Sequence, residues 1–215
     1  MRARKRAAWA LLATTAVAFG ARASAHRLDE FLQAARIAVE RDRVRLEMTL
    51  TPGMAVADDL VREIDADRNG VLSQEEGQLY AGRVLSALTL RVDDSLPLQM
   101  QLAGSSVPAV AVLRAGDGAI IIRSEALVRR LPVGPHRLFF YNMNAAGNSV
   151  YLANALVPDD EDVGVTGQQH AGDQSQLTIE FVVRETSAFR GHWGWIGLAG
   201  AFMLAVSLTR RRSIA

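Results

Sequence analysis

Residues 35–50 read ARIAVERDRVRLEMTL. Ile37, Val39, Val44, Leu46, Met48 and Leu50 alternate with polar or small residues, a period of two that describes strands with one buried face. The polar stretch ERDR, residues 40–43, sits where a hairpin turn would fall. The domain is therefore expected to open with an antiparallel hairpin. Thr51, Pro52 and Gly53 close it, and the periodicity then changes. Val56, Leu60, Val61 and Ile64 recur at helical spacing, as do Leu79, Val84, Leu85 and Leu88 further on.

Beyond residue 88 the strand pattern returns. LTLRV (88–92) and PLQMQL (97–102) flank Asp93, Asp94 and Ser95. VPAVAVLR (107–114) and AIIIRSEALV (119–128) flank a turn-rich tetrapeptide at 115–118, and HRLFFY (136–141), VYLANALV (150–157) and QLTIEFVV (176–183) follow. The total is about nine short strands. Many short strands divided by Gly, Asp and Pro turns predict a mainly β fold, an antiparallel β-sandwich, with the helical pair inserted between its second and third strands. Residues 163–176, polar and rich in glycine, read as an exposed or partly disordered loop.

Both ends differ from this body. MRARKR is followed by a short apolar run and by Ala23, Ser24 and Ala25, a small-x-small cleavage pattern. Residues 1–25 therefore read as a secretory signal peptide, with an uncleaved anchor as the alternative. Residues 193–209, WGWIGLAGAFMLAVSLT, carry no charge and are followed by Arg210, Arg211 and Arg212. At 1.5 Å per residue the run spans about 25 Å, enough for one transmembrane helix. Tryptophans at one end and arginines at the other orient it with residues 210–215 as a cytoplasmic tail. A buried helix and a cleaved sorting signal remain open as alternatives. The expected organisation is an exported domain, residues 26–190, tethered to the inner or plasma membrane by its C-terminal helix.

Cysteine is absent, so no disulfide supports this domain. Eight of the 24 basic residues lie in the signal or the tail, whereas all 23 acids lie between Asp29 and Glu185; residues 26–190 therefore carry 16 bases against 23 acids, a net −7. Such a surface repels phosphate backbones, which argues against nucleic acid as a partner. The chain also has no G-x-S-x-G, no H-E-x-x-H, no phosphate-binding glycine loop and no cysteine nucleophile, so no enzymatic activity is expected.

Between the two helical patterns, residues 65–76 read DADRNGVLSQEE. Asp65, Asp67 and Asn69 alternate, so their oxygens can converge from one turn of chain. Gly70 permits a sharp bend. Val71 would offer its backbone carbonyl, Ser73 would act directly or through a water, and Glu76 would supply two oxygens while opening the second helix. Leu72 would pin the loop to the core. A shell of six to eight oxygens suits a hard cation, Ca2+ before Mg2+ or Mn2+. In this pattern, D-x-D-x-N-G-x-x-x-x-x-E, residues 54–88 resemble a single EF-hand. The resemblance implies calcium binding with Asp65, Asp67, Asn69, Val71, Ser73 and Glu76 as ligands. EF-hands usually brace each other in pairs, and only one loop is found here. Arg68 adds a positive charge inside it. The expected affinity is that of extracellular modules, a Kd of roughly 10⁻⁴ to 10⁻³ M.

A second metal site is conceivable at His26, the N-terminal residue after signal cleavage, whose amine and imidazole could chelate copper or nickel. His136, His170 and His192 show no ligand spacing, and the acids at 159–162 read as a solvated loop. The order of AHRLDEF, hairpin, acidic helical insertion and further strands resembles exported N-terminal domains of bacterial nickel/cobalt-type permeases. That resemblance implies a permease partner, or a metal-handling accessory role in nickel, cobalt or copper transport. An adhesion or assembly module is a third reading.

Overall fold

The computed structural model describes residues 29–93, 97–144 and 148–185. The expected signal peptide, His26, His192, the apolar run at 193–209 and the arginine tail lie outside these residues. Among the described residues no helix is long and apolar enough to cross a membrane.

The chain is mainly β, built from two sheets. β1 (Phe31–Val39) and β2 (Arg43–Pro52) form the expected antiparallel hairpin, with Val39 opposite Val44 and the Glu40 amide donating to the Arg43 carbonyl at 2.9 Å. Ile37, Val39, Val44, Leu46, Met48 and Leu50, which the alternation selected, are all buried, and Phe31 and Gln33 join them on the same face. Helices α1 (Met54–Ile64) and α2 (Gln74–Ser86) follow, then β3 (Leu88–Val92), β4 (Gln101–Ser106), a short helix α3 (Val110–Arg114), β5 (Ile120–Leu127), β6 (Gly134–Asn142), β7 (Ser149–Ala155), β8 (Val163–His170) and β9 (Gln176–Val183).

One sheet has the order β4-β5-β2-β1-β7 and the other β3-β6-β9-β8. All ladders are antiparallel except β1 with β7, which is parallel. Inward residues of both sheets, including Ile37, Leu46, Ile122, Phe140, Ile179 and Phe181, share one core cluster with Leu60, Val61, Tyr80 and Val84 of the helices.

Two expectations are corrected here. Residues 107–114 are not a strand. Val110 and Leu113, three apart, share one helical face, and Leu113 is wholly buried while Val112 stays exposed. The alternation of Ala and Val hid this spacing. Residues 163–176 are not a loop. Their first eight form β8, an edge strand of which Val163 alone is buried, and its polarity is what an edge tolerates. The strand expected at 97–102 also begins later, at Gln101.

Side chains bridge the two sheets. Gln168 Oε1 accepts from the Ala155 amide at 2.9 Å, and His170 Nε2 donates to the Ala153 carbonyl at 2.7 Å. These bonds occupy backbone groups of β7, an edge strand, which would otherwise be free to pair with another chain. At the core, Gln33 of β1 is 1 % exposed, yet its amide is fully satisfied. Its Nε2 donates to the Asn144 carbonyl (2.8 Å) and to Ser149 Oγ (3.0 Å). Its Oε1 accepts from Asn142 Nδ2 (3.0 Å) and Asn144 Nδ2 (3.1 Å). Because Asn142 lies in β6, the pair joins the two sheets. Asn142 is a buried strand residue.

Candidate metal centre

The two helices that flank residues 65–76 are held by the body of the domain. α1 buries Ala57, Leu60, Val61 and Ile64 on one face. α2 buries Tyr80, Ala81, Val84 and Leu85, and Gly77 approaches Val107 so closely that a Cβ would stand 2.8 Å from its side chain. Both ends of the connecting loop are thus fixed by packing that no second hand supplies.

Asp65 is the C-cap of α1, its amide donating to the Val61 carbonyl at 2.8 Å. Its carboxylate turns into the loop, accepting from the amides of Asn69 (3.1 Å) and Gly70 (2.9 Å). Asp67 accepts from the Asn69 amide (3.1 Å) and from Asn69 Nδ2 (2.8 Å), and Asn69 Oδ1 accepts from the Val71 amide (2.7 Å). These short-range bonds are what Asp and Asn offer at turns. Arg68 and Gly70 both take the left-handed conformation, with φ of 58° and 81°.

Glu76 closes the loop. With Ser73 it forms a capping box at the start of α2: Ser73 Oγ accepts from the Glu76 amide (3.2 Å), while Glu76 Oε2 accepts from the Ser73 amide (2.9 Å) and Ser73 Oγ (2.8 Å). Glu76 Oε1 accepts from the Ala66 amide at 2.7 Å. Hydrogen bonds from the Ser73 backbone and hydroxyl, with help from Ala66 and Asp67, lower its pKa below the usual carboxylate value against the opposing effect of burial. The carboxylate is held ionised.

One carboxylate oxygen from each of Asp65, Asp67 and Glu76 lies within 4.8 Å of the others, so three of the six expected ligands converge. Asn69 and Ser73 belong to the same hydrogen-bonded loop. Val71 is 66 % exposed, in keeping with a position where the backbone would matter, and Leu72 packs against the core as expected. The donors are all hard oxygens, which fit calcium or magnesium and not a soft metal. Among the described residues this is the group of three acidic, His or Cys side chains close enough to share an ion. The acids at 159–162 do not form another: Asp159 pairs with Arg45 at 2.6 Å and Asp162 lies 3.9 Å from Arg41.

Gly70→Ala tests the loop backbone separately from its charges. No atom lies within 4 Å of a Cβ built at Gly70, so the cost is conformational alone. We expect a loss of about 1 kcal/mol in stability, read by thermal melting.

A second polar cluster went unread in the sequence because its members lie 43 residues apart. His136 Nδ1 is 2.8 Å from Asp93 Oδ2 and its Nε2 is 2.9 Å from the Pro132 carbonyl. Neither oxygen can donate to the ring, so the imidazolium suits both contacts. The ring stacks on Phe181, and the side chain is only 7 % exposed. Burial pulls the His136 pKa down, but the bonds to Asp93 and Pro132 outweigh it and the pKa is raised. Arg137 and Glu180 are the other charged groups lining this cleft. A raised pKa adds stability that is complete below the unfolded value of about 6.5 and is lost as pH climbs through the folded value. His136→Gln should therefore destabilise by about 1 kcal/mol at pH 6, and the gap to wild type should narrow by pH 9 in paired melting curves.

No protein-family model matches the sequence, and neither a curated protein nor a solved structure is similar to it.

Proposed function

We propose that this chain binds calcium through residues 65–76, as a single EF-hand inserted in an exported, membrane-tethered antiparallel β-sandwich. The observation that carries the reading is the convergence of Asp65, Asp67 and Glu76 on a loop whose flanking helices are anchored in the core. Three carboxylates against a divalent ion leave the loop at −1, and Arg68 reduces the attraction further. The ion stabilises the fold and supports interaction; no catalysis is assigned to it. Asn69, Ser73 and the Val71 carbonyl complete the oxygen shell. A permease or another membrane protein is the proposed partner class.

Isothermal titration of the full chain with calcium, then magnesium, tests this. Heat that saturates with a Kd of about 10⁻⁴ to 10⁻³ M for calcium, and that disappears in Asp65→Ala/Glu76→Gln, is expected. Equal heat in that variant would refute the assignment.

A further inference from the structure

Arginines in this domain are mostly matched. Arg45 and Arg123 contact Asp159 and Glu47, Arg114 contacts Asp58, and Arg91 lies over the Phe139 ring at 5.0 Å. Arg129 and Arg130 are exposed and adjacent, and neither has an anionic partner among the described residues. In a region with seven more acids than bases, two neighbouring cations with no ion pair among the described residues stand out.

Both line a groove of about 570 Å³ whose apolar walls include Val92, Leu98, Val128 and Leu131. That volume falls in the range of ligand sites, about 300–1,000 Å³. Among the described residues the groove contains one acid, Asp93, and its charge is engaged elsewhere. Its Oδ1 accepts from the Arg137 amide at 2.9 Å and its Oδ2 faces His136 at 2.8 Å. Asp93 thus pairs with neither guanidinium group, and no other described acid lines the groove. The same histidine holds the Pro132 carbonyl at 2.9 Å, so two parts of the groove wall, Asp93 and Pro132, are tied together before any ligand arrives. A preformed site loses less on binding than one that must be ordered.

We infer that this groove between the end of β3 and the β5–β6 connection docks an acidic peptide segment, its carboxylates on Arg129 and Arg130 and an apolar side chain between Val92, Leu98 and Val128. Guanidinium forks match carboxylates, and an apolar floor beside them selects a ligand that carries both characters. An anionic bilayer is the weaker fit. A region of net −7 is repelled by an extended negative surface, and two arginines offset little of that. A short peptide brings its few charges only where the guanidinium groups stand.

The test uses the full chain and a fluorescein-labelled hexapeptide of alternating glutamate and leucine, followed by anisotropy. The same peptide with glutamine for glutamate, and vesicles containing phosphatidylglycerol, are run beside it. Saturable binding of the glutamate peptide is expected, weakened about tenfold or more by Arg129→Gln/Arg130→Gln and by the glutamine replacement. Both arginines are exposed and make no ion pair among the described residues, so an unchanged melting temperature verifies that the variant folds. The proposal is overturned by no binding at millimolar peptide, by equal binding to the variant, or by arginine-dependent binding to vesicles alone.

Discussion

Adding 10 mM calcium to the full chain raises its melting temperature by about 3–10 °C over EDTA, and Glu76→Gln removes the rise. The range follows from mass action. At a Kd of about 10⁻⁴ to 10⁻³ M the ion stabilises by about 1.4–2.7 kcal/mol, and each kcal/mol moves a domain of this size by about 2–4 °C. Glutamine is the informative replacement. It can still reach back to the Ser73 amide and complete the capping box at the start of α2, although its nitrogen cannot accept from the Ala66 amide, so the calcium-free variant should melt only a little below wild type. It lacks the second anionic oxygen that a bidentate ligand supplies. Glu76→Ala removes both roles and should lower stability by about 1 kcal/mol even in EDTA. A variant that loses the calcium effect and keeps more of its basal stability than Glu76→Ala separates ligation from capping.

Gln33→Leu should destabilise the fold by about 2–4 kcal/mol, measured by denaturant unfolding. Leucine matches the volume and suits the apolar surroundings, so packing is not the source of the loss. The source is the set of partners left behind, Asn142 in the interior and Asn144 and Ser149 half-buried. Asn142 Nδ2 and Asn144 Nδ2 lose their acceptor, and the Asn144 carbonyl and Ser149 Oγ lose a donor. Removing one side of a buried hydrogen bond costs more than removing both, so Gln33→Leu/Asn142→Leu should cost clearly less than the sum of the two single changes. An additive result would mean that the inter-sheet amide pair is not a coupled unit.

The contrast between these two sites shows what sequence carries. The convergence of Asp65, Asp67 and Glu76 was legible because all three lie within twelve residues of one another in a short patterned loop. The β1–β2 hairpin was legible because its alternation matches a half-buried sheet. Gln33, Asn142 and Asn144 were opaque, since their meaning depends on strands 109 residues apart meeting across the core. The parallel pairing of β1 with β7 was hidden for the same reason. β8 was missed because an edge strand needs little hydrophobicity, and α3 because Val110, Val112 and Leu113 satisfy both periods until burial decides between them. The two errors cancel in the count of strands, so about nine strands were expected and nine are found among the described residues, with one exchanged for another.

The most direct test of the calcium assignment is a residue-resolved titration, with backbone amide shifts of the ¹⁵N-labelled full chain followed as calcium is added. Saturating shifts concentrated at residues 65–76, above all at the amides of Asp67, Gly70 and Ser73, with the sheets little changed, are predicted. Silence in that loop at 10 mM calcium, or shifts centred on the acids at 159–162 instead, would contradict the account.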